Sequence, residues 1–204
     1  MQNIVLSIVA AIYGGVLTLV GVAWTIKKGE EDKKENQKLA LKHLLNYKKE
    51  IKNYIENNGL FISTGNSLEL FGEKIDNVKA LDIFNFISTN ENFRIVDEVI
   101  FKSELIKENI IGFQNQERTI KINENHLFKV IKGTGNYPKC EYEGYKYKNF
   151  YGTHLIGPLL VRNPKLLEYI CNKLIKEKDT KFKLNKTSLY FQKKAYNSFV
   201  ENNK

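Results

Sequence analysis

Between residues 4 and 26 no side chain is charged, and the apolar run stops at Lys27-Lys28. As a helix, about 23 residues at ~1.5 Å of rise each would be roughly 35 Å long, enough for a ~30 Å hydrocarbon core. The pattern predicts one transmembrane helix over 4–26, with Trp24 and the paired lysines as its interfacial anchor. Along it Ser7, Ala11, Gly14, Thr18, Gly21 and Thr25 recur at intervals of four and three. Such a stripe of small residues lets two membrane helices approach closely, which predicts self-association of the anchor. Lysines follow the span and none precedes it, so the positive-inside bias places the N-terminus outside and the rest in the cytoplasm.

The next segment, 27–58, predicts a juxtamembrane stalk helix. Glu30, Glu31 and Asp32 suit its first turn, and Leu41, Leu44, Leu45, Ile51 and Ile55 fall at helical spacing. Asn57-Asn58-Gly59 stops it. Residues 60–204 then read as one cytoplasmic α-rich domain. A loop is expected from Ser63 to Gly72, and a short helix through Leu81, Phe84, Phe86 and Ile87. A longer helix is expected over 91–109, capped by Asn90, with Phe93, Val96, Val99, Ile100, Leu105 and Ile106 turned inward. Thr119-Ile120-Lys121-Ile122 alternates and leaves a strand open there. Gly133 to Pro158 is expected to be irregular, broken by glycines and Pro138. Two last helices are predicted at 164–178 and 186–202. The fold expected is therefore mainly α: a membrane helix, a stalk, and a mostly helical domain with a glycine- and tyrosine-rich irregular segment.

Charge changes this picture in the second half. Residues 1–118 hold 15 Lys+Arg against 16 Asp+Glu, whereas 119–204 hold 17 against 7. An excess of ten positive charges in the last 86 residues points to an anionic partner, nucleic acid or an anionic membrane surface. In YPKCEYEGYKYKNFY, residues 137–151, lysines alternate with tyrosines. Lysines neutralise phosphates while tyrosine faces stack on unpaired bases, a combination that favours single-stranded nucleic acid. The candidate binding residues are Lys139, Tyr145, Lys146, Tyr147, Lys148 and Tyr151, with Lys181, Lys183, Lys193 and Lys194 as a second basic surface. The alternative for these tyrosines is packing over a core, hydroxyls toward water.

Catalytic chemistry has less support. His43, His126 and His154 match no metal-ligand spacing, and Cys140 and Cys171 form no CxxC pair. Arg118 and His126 are separated by seven residues, longer than the Arg-x-His pair of small helical ribonucleases. Gly133-Thr134-Gly135-Asn136 lacks the Gly-Lys-Ser/Thr ending of a phosphate loop. No cofactor, no metal and no enzymatic activity are expected. Two cysteines in the whole chain suit a reducing compartment.

The start, Tyr13-Gly14-Gly15-Val16-Leu17-Thr18-Leu19-Val20-Gly21-Val22 through Trp24-Thr25-Ile26-Lys27-Lys28, with a Lys- and Asn-rich domain behind it, is similar to membrane-anchored abortive-infection proteins of the AbiP kind. That resemblance implies phage resistance through a nucleic-acid-binding domain tethered to the bacterial inner membrane. The expected function is thus binding of RNA or single-stranded DNA at the membrane, interfering with phage replication. The alternative is a non-catalytic membrane scaffold that recognises a protein partner or anionic lipid.

Overall fold

The computed structural model describes residues 16–18, 30–178 and 189–203. Its elements run β1 (Val16–Thr18), α1 (Glu30–Leu45), α2 (Lys48–Glu56), β2 (Leu60–Thr64), a 3-10 helix (Gly65–Phe71), β3 (Lys74–Ile75), β4 (Val78–Lys79), β5 (Ile87–Ser103), β6 (Ile110–Lys121), β7 (Phe128–Lys132), β8 (Tyr142–Glu143), β9 (Tyr145–Tyr147), β10 (Phe150–Thr153), α3 (Leu159–Arg162), α4 (Pro164–Lys178) and α5 (Tyr190–Asn202). With 37% helix and 34% strand it is a mixed α/β fold, and the mainly α expectation is corrected.

Two sheets organise it. In the first, β1, β2 and β10 run parallel and β9 closes the far side antiparallel, in the order β1-β2-β10-β9. The second is built on the long hairpin of β5 and β6, with β3, β4, β7 and β8 around it. Strand β2 is buried on both faces, and its Leu60-Phe61-Ile62 run is continuously apolar, as such strands are. Side chains alternate across it. Phe61 and its register partner Phe150 join Phe71, Phe84 and Tyr145 on one side. Leu60 and Tyr151 face the other, with Val99, Phe101 and Leu155.

The helices close the two cores. Leu41 and Leu44 of α1 and Ile51 and Ile55 of α2 pack into the Phe61 side, while Leu166 and Ile170 of α4 pack into the Tyr151 side. Residues 30–56 are two helices, divided by a turn in which Tyr47 N donates to Leu44 O at 2.9 Å. Asn163 ties the α3–α4 junction to the hairpin. Its amide accepts from Ile111 N and donates to Ile111 O and Leu159 O, each at 2.8 Å.

Several elements depart from the sequence pattern. The helix expected over 91–109 is the β5 strand, whose Phe93 and Val96 are exposed, and Asn90 lies inside that strand where its register with β6 shifts. The helix expected through Leu81–Ile87 is an extended loop entering β5, tied back by Leu81 N to Leu70 O and Ile83 N to Phe71 O. Within 133–158 the structure forms β8, β9 and β10.

The membrane helix is corrected too. Most of 4–26 lies outside the described residues, including Ser7, Ala11, Gly14 and Gly21. The described part, Val16–Thr18, is an extended strand paired with Leu60–Ile62 of β2, which excludes a helix through Thr18. Among the described residues no helix is long and apolar enough to cross a membrane. Inner-membrane placement and self-association through an anchor helix lose their basis with it.

Candidate functional site

Where β2 ends, Gly65 turns the chain into the 3-10 helix with φ +58, a conformation that favours glycine. A Cβ at Gly65 would meet Ile156 Cγ2 at 3.2 Å, so the segment following β10 lies against this turn. Gly65 N donates to Leu155 O at 3.2 Å and fixes that approach. The strand ends β2 and β10 and the 3-10 helix therefore converge, and strand β6 runs past them: Gln114 of β6 forms an isolated bridge with Leu155.

The face of β6 turned toward this junction is polar at period two. Gln114, Gln116 and Arg118 are all buried, between buried Ile110 and Ile120 at the strand's ends. Glu69 of the 3-10 helix meets them. Its Oε2 accepts from Gln37 Nε2 of α1 at 2.8 Å and stands 3.5 Å from Arg118 Nη1, while Arg118 Nη2 lies 3.3 Å from Asp76 Oδ2. Burial raises the Glu69 carboxyl above its ordinary range, and the Arg118 guanidinium opposes that rise. His154, buried just after β10, completes the strip and acts electrostatically on Glu69. Its Nδ1 is 3.4 Å from Glu143 Oε1, a distance that admits an ion pair but without hydrogen-bond alignment. Glu143 itself is held by His154 N at 2.7 Å and Thr153 Oγ1 at 2.8 Å.

The strip gathers several polar atoms that lack a hydrogen-bond partner. Glu69 Oε1, both amide atoms of Gln114 and of Gln116, Arg118 Nε and His154 Nε2 have no hydrogen-bond partner among the described residues. The large majority of buried side-chain polar atoms in folded proteins are hydrogen-bonded, and each exception costs about 1–3 kcal/mol. Here the orphaned atoms of Gln114, Gln116 and Arg118 lie along one strand face, with Glu69 and His154 beside them. At the outer end of the 3-10 helix, Asn66 is exposed and Ser67 half-buried. Ser67 Oγ donates to Thr64 O at 2.6 Å, so the 2.7 Å contact with Ser63 Oγ has Ser63 as donor.

The residues singled out from the sequence are arranged otherwise. Tyr145 is buried against Phe84 and Phe86, with ring centroids at 4.7 and 5.4 Å, and burial pushes its phenol up. Tyr151 is buried on the opposite core and hydrogen-bonds with Tyr169 and Lys173. Neither ring face is open to a base. Lys148 bonds Glu56 Oε2 at 2.7 Å; that bond lowers the Glu56 carboxyl and raises the Lys148 ammonium. Tyr147 also donates to Glu56, and Lys146 faces Glu104 at 3.8 Å. Lys139 is exposed on a separate turn. Lys193 pairs with Glu168 at 3.2 Å, Lys194 is exposed beside it on α5, and Lys181 and Lys183 lie outside the described residues. The structure joins Tyr147 and Lys148 at Glu56, the end of α2, but not with Lys139 or α5.

Of the strip, Arg118 and His154 were weighed in the sequence and set aside, with no catalytic residue expected. Ser63, Glu69, Gln114, Gln116 and Glu143 were missed. The signal that was present is the alternation Gln114-x-Gln116-x-Arg118 between apolar ends, a polar stripe that only a strand gathers on one face.

No protein-family model matches the chain. Over 139 residues, 64% of this chain, it is 29% identical to the GatD subunit of the glutamine-hydrolysing lipid II isoglutaminyl synthase of Streptococcus pneumoniae (strain ATCC BAA-255 / R6). Over 153 residues, 72% of this chain, it is 29% identical to the subunit of the same description from Staphylococcus aureus (strain N315). The chain spans 54% and 62% of the lengths of these relatives. Both are subunits of a glutamine-hydrolysing enzyme, and this overturns the expectation of a non-catalytic nucleic-acid-binding defence protein. Nucleic acid and the inner membrane as partners are corrected as well: the relatives are, by their description, subunits of an enzyme.

Proposed function

We propose that this chain is the amide-handling subunit of a glutamine-dependent ligase, and that the buried polar strip is where the amide donor binds. The observation that carries this reading is the similarity to two subunits of an enzyme described as glutamine-hydrolysing. The strip supports it in kind. An amino-acid amide carries a carboxamide, a carboxylate and an ammonium. The primary amides of Gln114 and Gln116 can pair with a carboxamide as donor and acceptor together. Arg118 Nε offers a donor to a carboxylate, and Glu69 Oε1 an acceptor to an ammonium. Beside them stands the His154 imidazole, its Nδ1 3.4 Å from Glu143 Oε1.

Proton transfer by a positioned histidine contributes about 10²–10⁴-fold to such reactions. Ammonia and glutamate should therefore appear in equal amounts when the full chain is supplied with glutamine, and His154→Ala should slow their release by about a hundredfold or more. Coupled detection of ammonia measures this directly. A full-rate His154→Ala variant, or a chain that neither binds nor hydrolyses glutamine, would remove the reading.

A further inference from the structure

An ionised carboxylate out of water needs a cation or several donors to hold it. Glu69 is fully buried, and the contacts that serve it fall on one of its two oxygens. Gln37 Nε2 donates to Oε2 at 2.8 Å, but it is a neutral donor. Arg118 Nη1 stands 3.5 Å from the same oxygen, longer than the ~2.7–3.2 Å of a usual hydrogen bond. The guanidinium is also shared, with Nη2 3.3 Å from Asp76 Oδ2. Asp76 depends on it less: its side chain is 36% exposed, and it accepts from Asn90 N at 2.6 Å. Oε1 of Glu69 has no partner among the described residues.

A second gap lies beside the first. Arg118 Nε belongs to the guanidinium that meets Oε2, and it too is orphaned. A buried acceptor without a donor on the 3-10 helix thus neighbours a buried donor without an acceptor on β6. The head of a free α-amino acid matches this pair, because one carbon carries both its ammonium and its carboxylate. With the ammonium on Glu69 and the carboxylate on Arg118, four charges alternate in sign and each is neighboured by its opposite. An acylated or peptide-bound nitrogen has no charge to give, and a charge-assisted hydrogen bond is roughly twice as strong as a neutral one. A ligand lacking the nitrogen leaves Oε1 orphaned.

Resting on the function proposed above, we propose that Glu69 is the specificity-determining residue of this site. It selects free amino acids that bear a side-chain carboxamide, through their α-ammonium, over peptide-bound or deaminated amides carrying the same carboxamide.

The test titrates three ligands into the full chain by calorimetry: L-glutamine, N-acetyl-L-glutamine, and glutaramate, which has hydrogen in place of the amino group. The parent chain should bind glutamine about a hundredfold or more tighter than either analogue. In Glu69→Gln, which keeps the shape and loses the charge, the three affinities should converge, with thermal melting as the check on folding. If that variant does not fold, Glu69→Asp replaces it, and its shortened carboxylate should narrow the same ratio. Equal binding of all three ligands by the parent, or a preference that survives in the folded variant, overturns the assignment. Glutamine that is bound and hydrolysed without such a preference leaves the function reading in place. If none of the three is bound or hydrolysed, both readings fall.

Discussion

Arg118→Met should destabilise the chain by about 3–5 kcal/mol at neutral pH, because it leaves a buried carboxylate without its cation. Glu69 is almost wholly enclosed, its Oε2 is 3.5 Å from Arg118 Nη1, and its remaining polar contact is Gln37. Asp76, half-exposed, loses a partner that water can replace. The pH dependence follows from the direction of the Glu69 shift. A carboxyl whose folded value is raised favours the fold below its unfolded value near 4.5, and that contribution is lost as pH rises through the folded value. Removing Arg118 takes away the attraction that holds the rise down, so the window of loss moves upward. Denaturant unfolding of the two proteins should therefore nearly agree at about pH 4 and diverge toward pH 8. A constant difference across that range would mean that Glu69 does not carry the effect.

Phe150→Ala is the other large effect, at about 3–5 kcal/mol. This ring is fully buried and lies at the centre of an aromatic group, with centroids 5.5 Å from Phe61, 5.0 Å from Phe71 and 4.6 Å from Phe84. It also stands opposite Phe61 in the β2–β10 register, four residues before His154. The hole would loosen the strand that carries the imidazole. At ~2–4 °C per kcal/mol for a chain of this size, the melting temperature should fall by about 10 °C. Phe191→Ala, at a ring that is 78% exposed, should change stability by less than about 0.5 kcal/mol. Equal losses at the two positions would contradict the core described above.

How much of this was legible depended on which period dominated each segment. Helix α4 starts at the predicted Pro164 and ends at Lys178, because Leu166, Leu167, Ile170 and Leu174 leave one period to choose. Strand β5 was illegible for a physical reason. Val96, Val99 and Ile100 sit at helical spacing, yet in the hairpin Val96 is exposed, so that spacing does not report burial there. Pairing with β6 over eleven registered positions decides the strand, and that information lies in Ile110–Lys121, not in β5. The Tyr145–Tyr151 segment misled in a similar way. Its lysines and tyrosines alternate like a stacking platform, but β9 and β10 turn Tyr145 and Tyr151 onto two different cores. Residues of the polar strip come from the 3-10 helix, β6, β8 and the end of β10, so no local window contains them.

The strip's role rests most directly on whether it takes up an amide. Calorimetric titration of L-glutamine into the full chain, beside Gln114→Leu/Gln116→Leu, measures this with a variant that should fold at least as well, since leucines remove four orphaned polar atoms. The account predicts saturable one-site binding by the parent chain, weakened about tenfold or more in the variant, equivalent to ~1.4 kcal/mol. Equal binding by both proteins, or no heat from either, would contradict it.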